Sequence, residues 1–205
     1  MSIEKAAPRR RNQATLEVIL AATYELLQQN GFDRLTIEGV AARAGVGKTT
    51  IYRWWPSRGA LAVDAFLAVV SPQLSFNETA SASEDIRQQV RRLAAVYDGE
   101  VGKIVREMIG SAQFDSTTLA LFNEGYLQPR RTAAKAALQR GIEQGEFRAD
   151  LNLEHVIDAL YGPVYYRLLT GASIRDEAFL STLEAYVLDG ISLKGTACDQ
   201  RSLRE

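Results

Sequence analysis

The sequence predicts an all-α protein, and three observations carry that prediction. Apolar residues recur at helical spacing along nearly the whole 205-residue chain. Glycine and proline punctuate these runs where helices should stop or break. No period-2 alternation of useful length and no internal repeat interrupts them. With 46% apolar residues, the chain can bury one large or two small cores.

The elements follow in order. A first helix is expected from about Asn12 to Gln29, with Leu16, Ile19, Leu20, Thr23, Leu26 and Leu27 as its buried stripe and Gly31 as its stop. Residues 36–55 then read as two short helices around a glycine turn. Ile37, Val40, Ala41 and Ala44 share one face, and Gly45 stands where a helix ends in a left-handed residue. Val46 is an apolar plug, and Ile51 and Trp55 give the next helix an inward face at i, i+4. Ser57 caps a fourth helix, with Leu61, Ala65 and Val69 inward, which runs to Pro72.

Residues 73–83, rich in Ser, Asn, Thr and Ala, read as a linker and domain border. Further helices are expected over 83–97, 100–110 and 116–144, the last kinked or broken at Pro129. Asn152 caps a helix running to Leu169, and a final helix covers 175–193. Gly162-Pro163 inside the penultimate helix predicts a kink and a close approach by a neighbouring helix, from this chain or another.

The short helix after Gly45 has one anchored face and one chemical face. Lys48, Thr49, Thr50, Tyr52 and Arg53 point outward, offering a cation, hydroxyls and a phenol, a set suited to a DNA major groove. Charge is distributed accordingly. Residues 1–60 hold nine Lys and Arg against five Asp and Glu, a balance of +4, whereas residues 61–205 hold fifteen against twenty, a balance of −5. Residues 1–12 read as a basic flexible arm. Its Arg9-Arg10-Arg11 either follows phosphates and the minor groove or is a solvated tail.

Residues 13–73 resemble the DNA-binding domain of the tetracycline-repressor (TetR) family. The resemblance rests on Asn30-Gly31-Phe32, Leu35-Thr36, Val40-Ala41, Ala44-Gly45-Val46, Lys48, Ile51-Tyr52, Trp55-Pro56-Ser57-Arg58 and Leu61. It implies an N-terminal three-helix helix-turn-helix domain followed, over 74–205, by a helical bundle that binds an effector and dimerises. It also implies site roles. Thr36 would touch phosphate, Lys48, Thr49 and Thr50 would face bases or phosphates, Tyr52 and Trp54 would contact the backbone, and Arg58 would pin a phosphate. Two positions depart from the family pattern: Gly47 replaces a usual Ser cap, and Gly59 replaces a usual acidic helix-starting residue.

The later helices carry two further expectations. Tyr97, Met108, Phe114, Phe122, Tyr126, Tyr161 and Tyr165 either line a cavity for a small hydrophobic or amphipathic effector or form ordinary core. Arg106, Glu107 and Gln113 would orient polar groups of such a ligand. Val156, Leu160 and Val164 on one helix, with Leu180, Leu183, Val187 and Ile191 on the next, form stripes broad enough for a core and a partner. In the resembling family the equivalent helices build a four-helix interface between two copies. A twofold dimer would set two reading helices about 34–36 Å apart, matching a palindromic operator.

Other classes lack parts. There is no nucleophile elbow, phosphate-cradling loop or metal-ligand spacing, so no enzyme, cofactor or metal site is expected. His155, the single histidine, reads as a surface or interface residue, and Glu143 and Glu146 as a solvated face. The single Cys198 and the absence of any apolar run approaching about 18 residues point to a cytoplasmic protein with no membrane partner. The expected function is a DNA-binding regulator, a homodimeric repressor released by an effector. The alternatives are control by a protein partner, no ligand at all, or activation.

Overall fold

A computed structural model describes the backbone of residues 8–193 and the side chains of residues 13–193. Cys198 lies outside the described residues, as do the side chains of Arg9-Arg10-Arg11. The described chain is helical: α1 (Pro8–Asn30), α2 (Ile37–Ala44), α3 (Lys48–Tyr52), α4 (Arg58–Val70), α5 (Ala82–Tyr97), α6 (Glu100–Ala112), α7 (Ser116–Phe122), α8 (Gln128–Glu143), α9 (Leu153–Thr170) and α10 (Glu177–Glu184). The all-α expectation holds. The first helix starts earlier than its apolar stripe, because Pro8 and the arginines after it continue the helical backbone.

The chain forms two compact units. The first contains the residues up to Gln73 together with Lys103–Tyr126, and the second contains Leu74–Gly102 together with the residues from Leu127 onward. The change of unit at 73/74 falls at the start of the Ser-, Asn-, Thr- and Ala-rich segment. Residues 103–126, expected with the later helices, pack in the first compact unit, for reasons visible in its contacts. The Glu107 carboxylate accepts the backbone N–H of Phe32 at 2.7 Å. Phe122 and Tyr126 pack with Phe66 of α4, their ring centroids 5.0–6.4 Å apart. At the start of α4, a Cβ on Gly59 would lie 1.9 Å from Thr118 Oγ1, so only glycine permits this approach of α7 to α4.

In the second unit, α5, α8 and α9 share a core of Ile86, Val90, Leu93, Ala137, Leu138, Ile157, Leu160 and Val164. The break at Pro129 takes a specific form. A proline ring clashes with the carbonyl four residues earlier and offers no N–H. The chain absorbs this with a π-helical turn, Asn123–Leu127, so that Pro129 falls in the first turn of α8. A second π turn, Ala185–Asp189, continues α10. Beyond it, Arg148 N–H donates to Ile191 O and Leu193 N–H to Glu146 O, each at 3.0 Å, joining the end of the last helix to the α8–α9 connection.

Carboxylates hold this unit at α5. Glu146 does not belong to a solvated face. It accepts the N–H groups of Ala82 and Ser83 and the Ser81 hydroxyl, completing the α5 N-terminus. Asp85, buried, accepts from Thr79 N–H and pairs with Arg140. Burial pushes both carboxyls up, but these hydrogen bonds and Arg140 outweigh it and hold both below the usual carboxylate range.

Candidate nucleic-acid interface

The α2–α3 unit is built from local chemistry. Thr36 caps α2, its hydroxyl accepting Gly39 N–H at 3.1 Å. Gly45 closes α2 at φ 66°, a left-handed backbone that glycine adopts without penalty, and Val46 N–H returns to Ala41 O. Gly47 begins α3 without a side-chain cap, as its lack of a hydroxyl dictates. Helical hydrogen bonding then carries past the five-residue helix, with Arg53 N–H bonded to Thr49 O and Trp55 N–H to Ile51 O.

Two side chains fix how α3 sits. Ile51 and Trp55 are buried, and Trp55 Nε1–H donates to Asp64 Oδ2 at 2.7 Å. Lys48, Thr49, Tyr52, Arg53 and Trp54 are left exposed and Thr50 half-buried. Tyr52 is 53% exposed, a large value for a tyrosine with no internal task. The Arg53 guanidinium lies 5.9 Å from the centre of the Trp54 ring. The exposed surface of α3 therefore presents cations, hydroxyls and aromatic faces, the set that contacts phosphates and base edges.

The structure adds partners that the sequence did not disclose. Lys48 Nζ is paired with Glu38 Oε1 of α2 at 3.1 Å, and Arg43 is paired with Glu25 of α1 at 2.7 Å. The Glu38 carboxyl is held below its usual range by its own backbone N–H and then by Lys48. Arg58 has an internal role. Its Nη1 donates to Asp33 O at 2.9 Å and to Leu35 O at 3.3 Å, and its guanidinium covers the Phe32 ring at 5.0 Å. It ties the start of α4 to the segment that leads into Thr36, so the phosphate-pinning role expected of it competes with a structural one.

The residues expected to meet an effector fall into both units. In the first, Met108, Phe122 and Tyr126 are buried, the latter two in the Phe66 cluster. Phe114 is 95% exposed and lines no interior space, because it sits in the turn between α6 and α7. Glu107 is engaged with Phe32, and Gln113 donates to Ile109 O within its own helix end, so neither has the ligand-orienting freedom expected of it. Arg106 is exposed. In the second unit, the Tyr97 and Tyr165 hydroxyls are 3.0 Å apart, and Tyr161 donates to Gln89 Oε1 at 2.6 Å. Burial pushes the Tyr161 phenol well above its ordinary value.

The proposed interface residues of α9 and α10 need correction. Val156, Leu160, Val164, Leu180, Leu183 and Ile191 are buried within their own subunit, and only Val187 is partly exposed. The broad apolar stripe is consumed by the chain's own core. The opposite face of α9 is exposed through His155, Ala159, Gly162, Tyr166 and Leu169, with Tyr166 69% exposed. On α10 and its π turn the exposed positions include Ala178, Thr182, Ala185 and Tyr186, the last 80% exposed. A Cβ built on Gly162 meets nothing within 4 Å, so no described segment makes the close approach expected there. α9 is nonetheless one helix through Pro163.

Among the described residues, no helix is long and apolar enough to cross a membrane, and no cluster of His, Cys, Asp or Glu side chains could hold a metal ion.

Known proteins share this arrangement. Residues 19–65 match the family model for bacterial regulatory proteins of the tetR family, and residues 76–187 match the tetracyclin repressor-like C-terminal domain. The HTH-type transcriptional regulator YdeS of Bacillus subtilis is 39% identical over 169 residues, covering 82% of this chain and 85% of its own. The crystal structure of the TetR family regulator SCO0332 superposes with a TM-score of 0.76 at 37% identity, covering 86% of this chain and 98% of that one. The regulator FadR of Bacillus subtilis, solved in complex with stearoyl-CoA, shares the fold with a TM-score of 0.68 at 18% identity, covering 85% and 98%. With a helix-turn-helix that leaves α3 free to meet DNA and matches along both units, this chain belongs to the TetR family of DNA-binding transcriptional regulators, which are not enzymes.

Proposed function

We propose that the protein is a homodimeric repressor that binds a palindromic operator and is released from it by a small hydrophobic or amphipathic effector. The observation that carries the DNA half of this reading is the pairing of buried Ile51 and Trp55 with exposed Lys48, Thr49, Tyr52, Arg53 and Trp54 on one short segment. The dimer half rests on the exposed stripe His155–Ala159–Gly162–Tyr166–Leu169 beside exposed Tyr186. Two copies meeting there would bury aromatic and small residues against one another and repeat α3 across a twofold axis.

For the effector, the tyrosines of α5 and α9 are the favoured contacts. The Tyr97 and Tyr165 hydroxyls are joined to one another and the Tyr161 hydroxyl to Gln89, an arrangement that suits a ligand with an apolar body and a polar group. The same fold holds stearoyl-CoA in FadR of Bacillus subtilis, so it can accommodate an amphipathic molecule. Release requires that the effector bind a non-operator-binding dimer shape more tightly than the operator-binding one.

Selection of bound duplexes from a random pool tests the reading. An inverted repeat is expected. Lys48→Ala should weaken binding to it about tenfold and lower the salt-dependence slope by about 1, with helicity and dimerisation intact. Unchanged affinity and slope would remove Lys48 from the interface. Thermal-shift screening against amphipathic compounds should find a stabilising ligand.

A further inference from the structure

We propose that Glu38 is a base-reading residue that acts with Lys48 as a donor–acceptor pair selecting a C·G base pair in each half-site. This inference rests on the DNA-binding reading above and deepens it. The Glu38 carboxylate and the Lys48 ammonium are 3.1 Å apart and both well exposed. They belong to different helices, Glu38 to the first turn of α2 and Lys48 to the first residue of α3. Lys48 is itself one of the exposed α3 side chains, and the Glu38 carboxylate lies against it.

A fold has little use for this pair. Exposed ion pairs add little stability because water screens them and their long side chains lose freedom. A phosphate-binding surface has less use for it still, since a carboxylate repels phosphates and neutralises the lysine beside it. Glu38 stands in the first turn of α2, where its own backbone N–H favours a carboxylate, a role that needs no Lys48; among the described residues it bonds no side chain but Lys48, whereas Thr36 caps α2 and Arg58 clamps the preceding segment. The remaining chemistry is recognition. On a duplex, the edge complementary to an acceptor next to a cationic donor has an amine at one end followed by two adjacent acceptors, whereas A·T sets its amine between two separated acceptors. The major-groove edge of a C·G pair offers this, with cytosine N4–H₂ as donor and guanine O6 and N7 as acceptors. Glu38 would accept from the amine and Lys48 would donate to guanine. The ion pair keeps both groups aligned before binding. It also lowers the attraction of Lys48 for phosphates of unrelated sequence, so selectivity increases as non-specific affinity falls.

Parallel selections from one random duplex pool with the wild-type protein and Glu38→Gln test this. Gln keeps the size of the side chain, and helicity by circular dichroism verifies that α2 persists. The wild type should enrich an inverted repeat with C·G fixed at one symmetric position. Glu38→Gln should lose that preference by about tenfold or more while retaining the rest of the consensus. A variant that keeps the same consensus and binds every duplex more tightly by a uniform factor would overturn the proposal and leave Glu38 an electrostatic brake. A variant indistinguishable from wild type in consensus and affinity would overturn it too. If the wild type itself enriches nothing, the DNA-binding assignment of this surface fails first.

Discussion

α3 and α9 each bury one face and expose the other, and their exposed faces have opposite chemistry. α3 is five residues long and buries Ile51 alone, with Trp55 just past its end as the second anchor. Its exposed side chains are polar or amphipathic and lose little in water. α9 is 18 residues long and buries Val156, Ile157, Leu160, Val164 and Leu168. Its outward stripe is small and apolar, ending in Tyr166 and Leu169. Such a face gains free energy when covered, at about 25 cal/mol for each Å² of apolar area removed from water. One face suits an ionic, hydrogen-bonding surface, whereas the other suits an apolar, closely approaching one. The homodimeric operator-binding protein proposed above would use both.

The largest test of this contrast is to charge the exposed α9 stripe. A Cβ on Gly162 meets no described atom and Tyr166 is 69% exposed, so helicity at 25 °C should be retained in Gly162→Arg and Tyr166→Glu. Sedimentation should move from dimer to monomer. Operator affinity should fall on the order of 10²–10³-fold, because the two half-sites are no longer engaged by one linked molecule. A dimer that survives both changes would place the interface on another face. Leu160→Asp is the contrasting variant. It puts a charge into the subunit core and should unfold the second unit rather than split it from a twin.

This contrast also explains what the sequence made legible. Hydrophobic periodicity reports which face of a helix is buried, and it does not report by whom. At α3 the candidate side chains were the residues left over after Ile51 and Trp55 were assigned inward, and the structure buries those two and leaves Lys48, Thr49, Tyr52, Arg53 and Trp54 exposed. At α9 and α10 function was assigned to the apolar stripe itself, which the subunit's own core claimed. The exposed set His155, Ala159, Gly162, Tyr166 and Leu169 does follow i, i+3 and i+4 spacing, although alanine and glycine carry little hydropathy to mark it. The partners Glu107–Phe32 and Glu146–Ala82 are separated by 75 and 64 positions, and no local pattern announces them. Gly59 looked like a weak helix start. Its reason is Thr118, brought against it by tertiary packing.

A smaller effect separates folding from recognition near α3. Arg58→Ala removes two bonds to carbonyls and the cover over Phe32, and should cost about 1–3 kcal/mol of stability in denaturant titration. Gly59→Ala should cost a similar amount, about 1–3 kcal/mol, as Thr118 is forced away, and a second change of Thr118→Ala should recover part of it. If Arg58→Ala instead leaves stability unchanged and only weakens operator binding, then phosphate contact is its dominant role.

The smallest effect concerns the frame that carries α9. Glu146 and Asp85 have carboxyls held below their usual range in the folded unit. Their contribution is therefore fully present above the unfolded values of about 4.3 and 3.9. It is lost as pH falls through the still lower folded values, because the unfolded chain takes up those protons first. Glu146→Gln should cost on the order of 1 kcal/mol at neutral pH, since the amide keeps one acceptor for the α5 N-terminus but loses the charge. The variant's stability should also change less between pH 6 and 3 than that of the wild type. An acid limb of unaltered steepness would assign the pH dependence to other carboxylates, with Asp115, likewise held low by Thr118 at the start of α7, the next to replace.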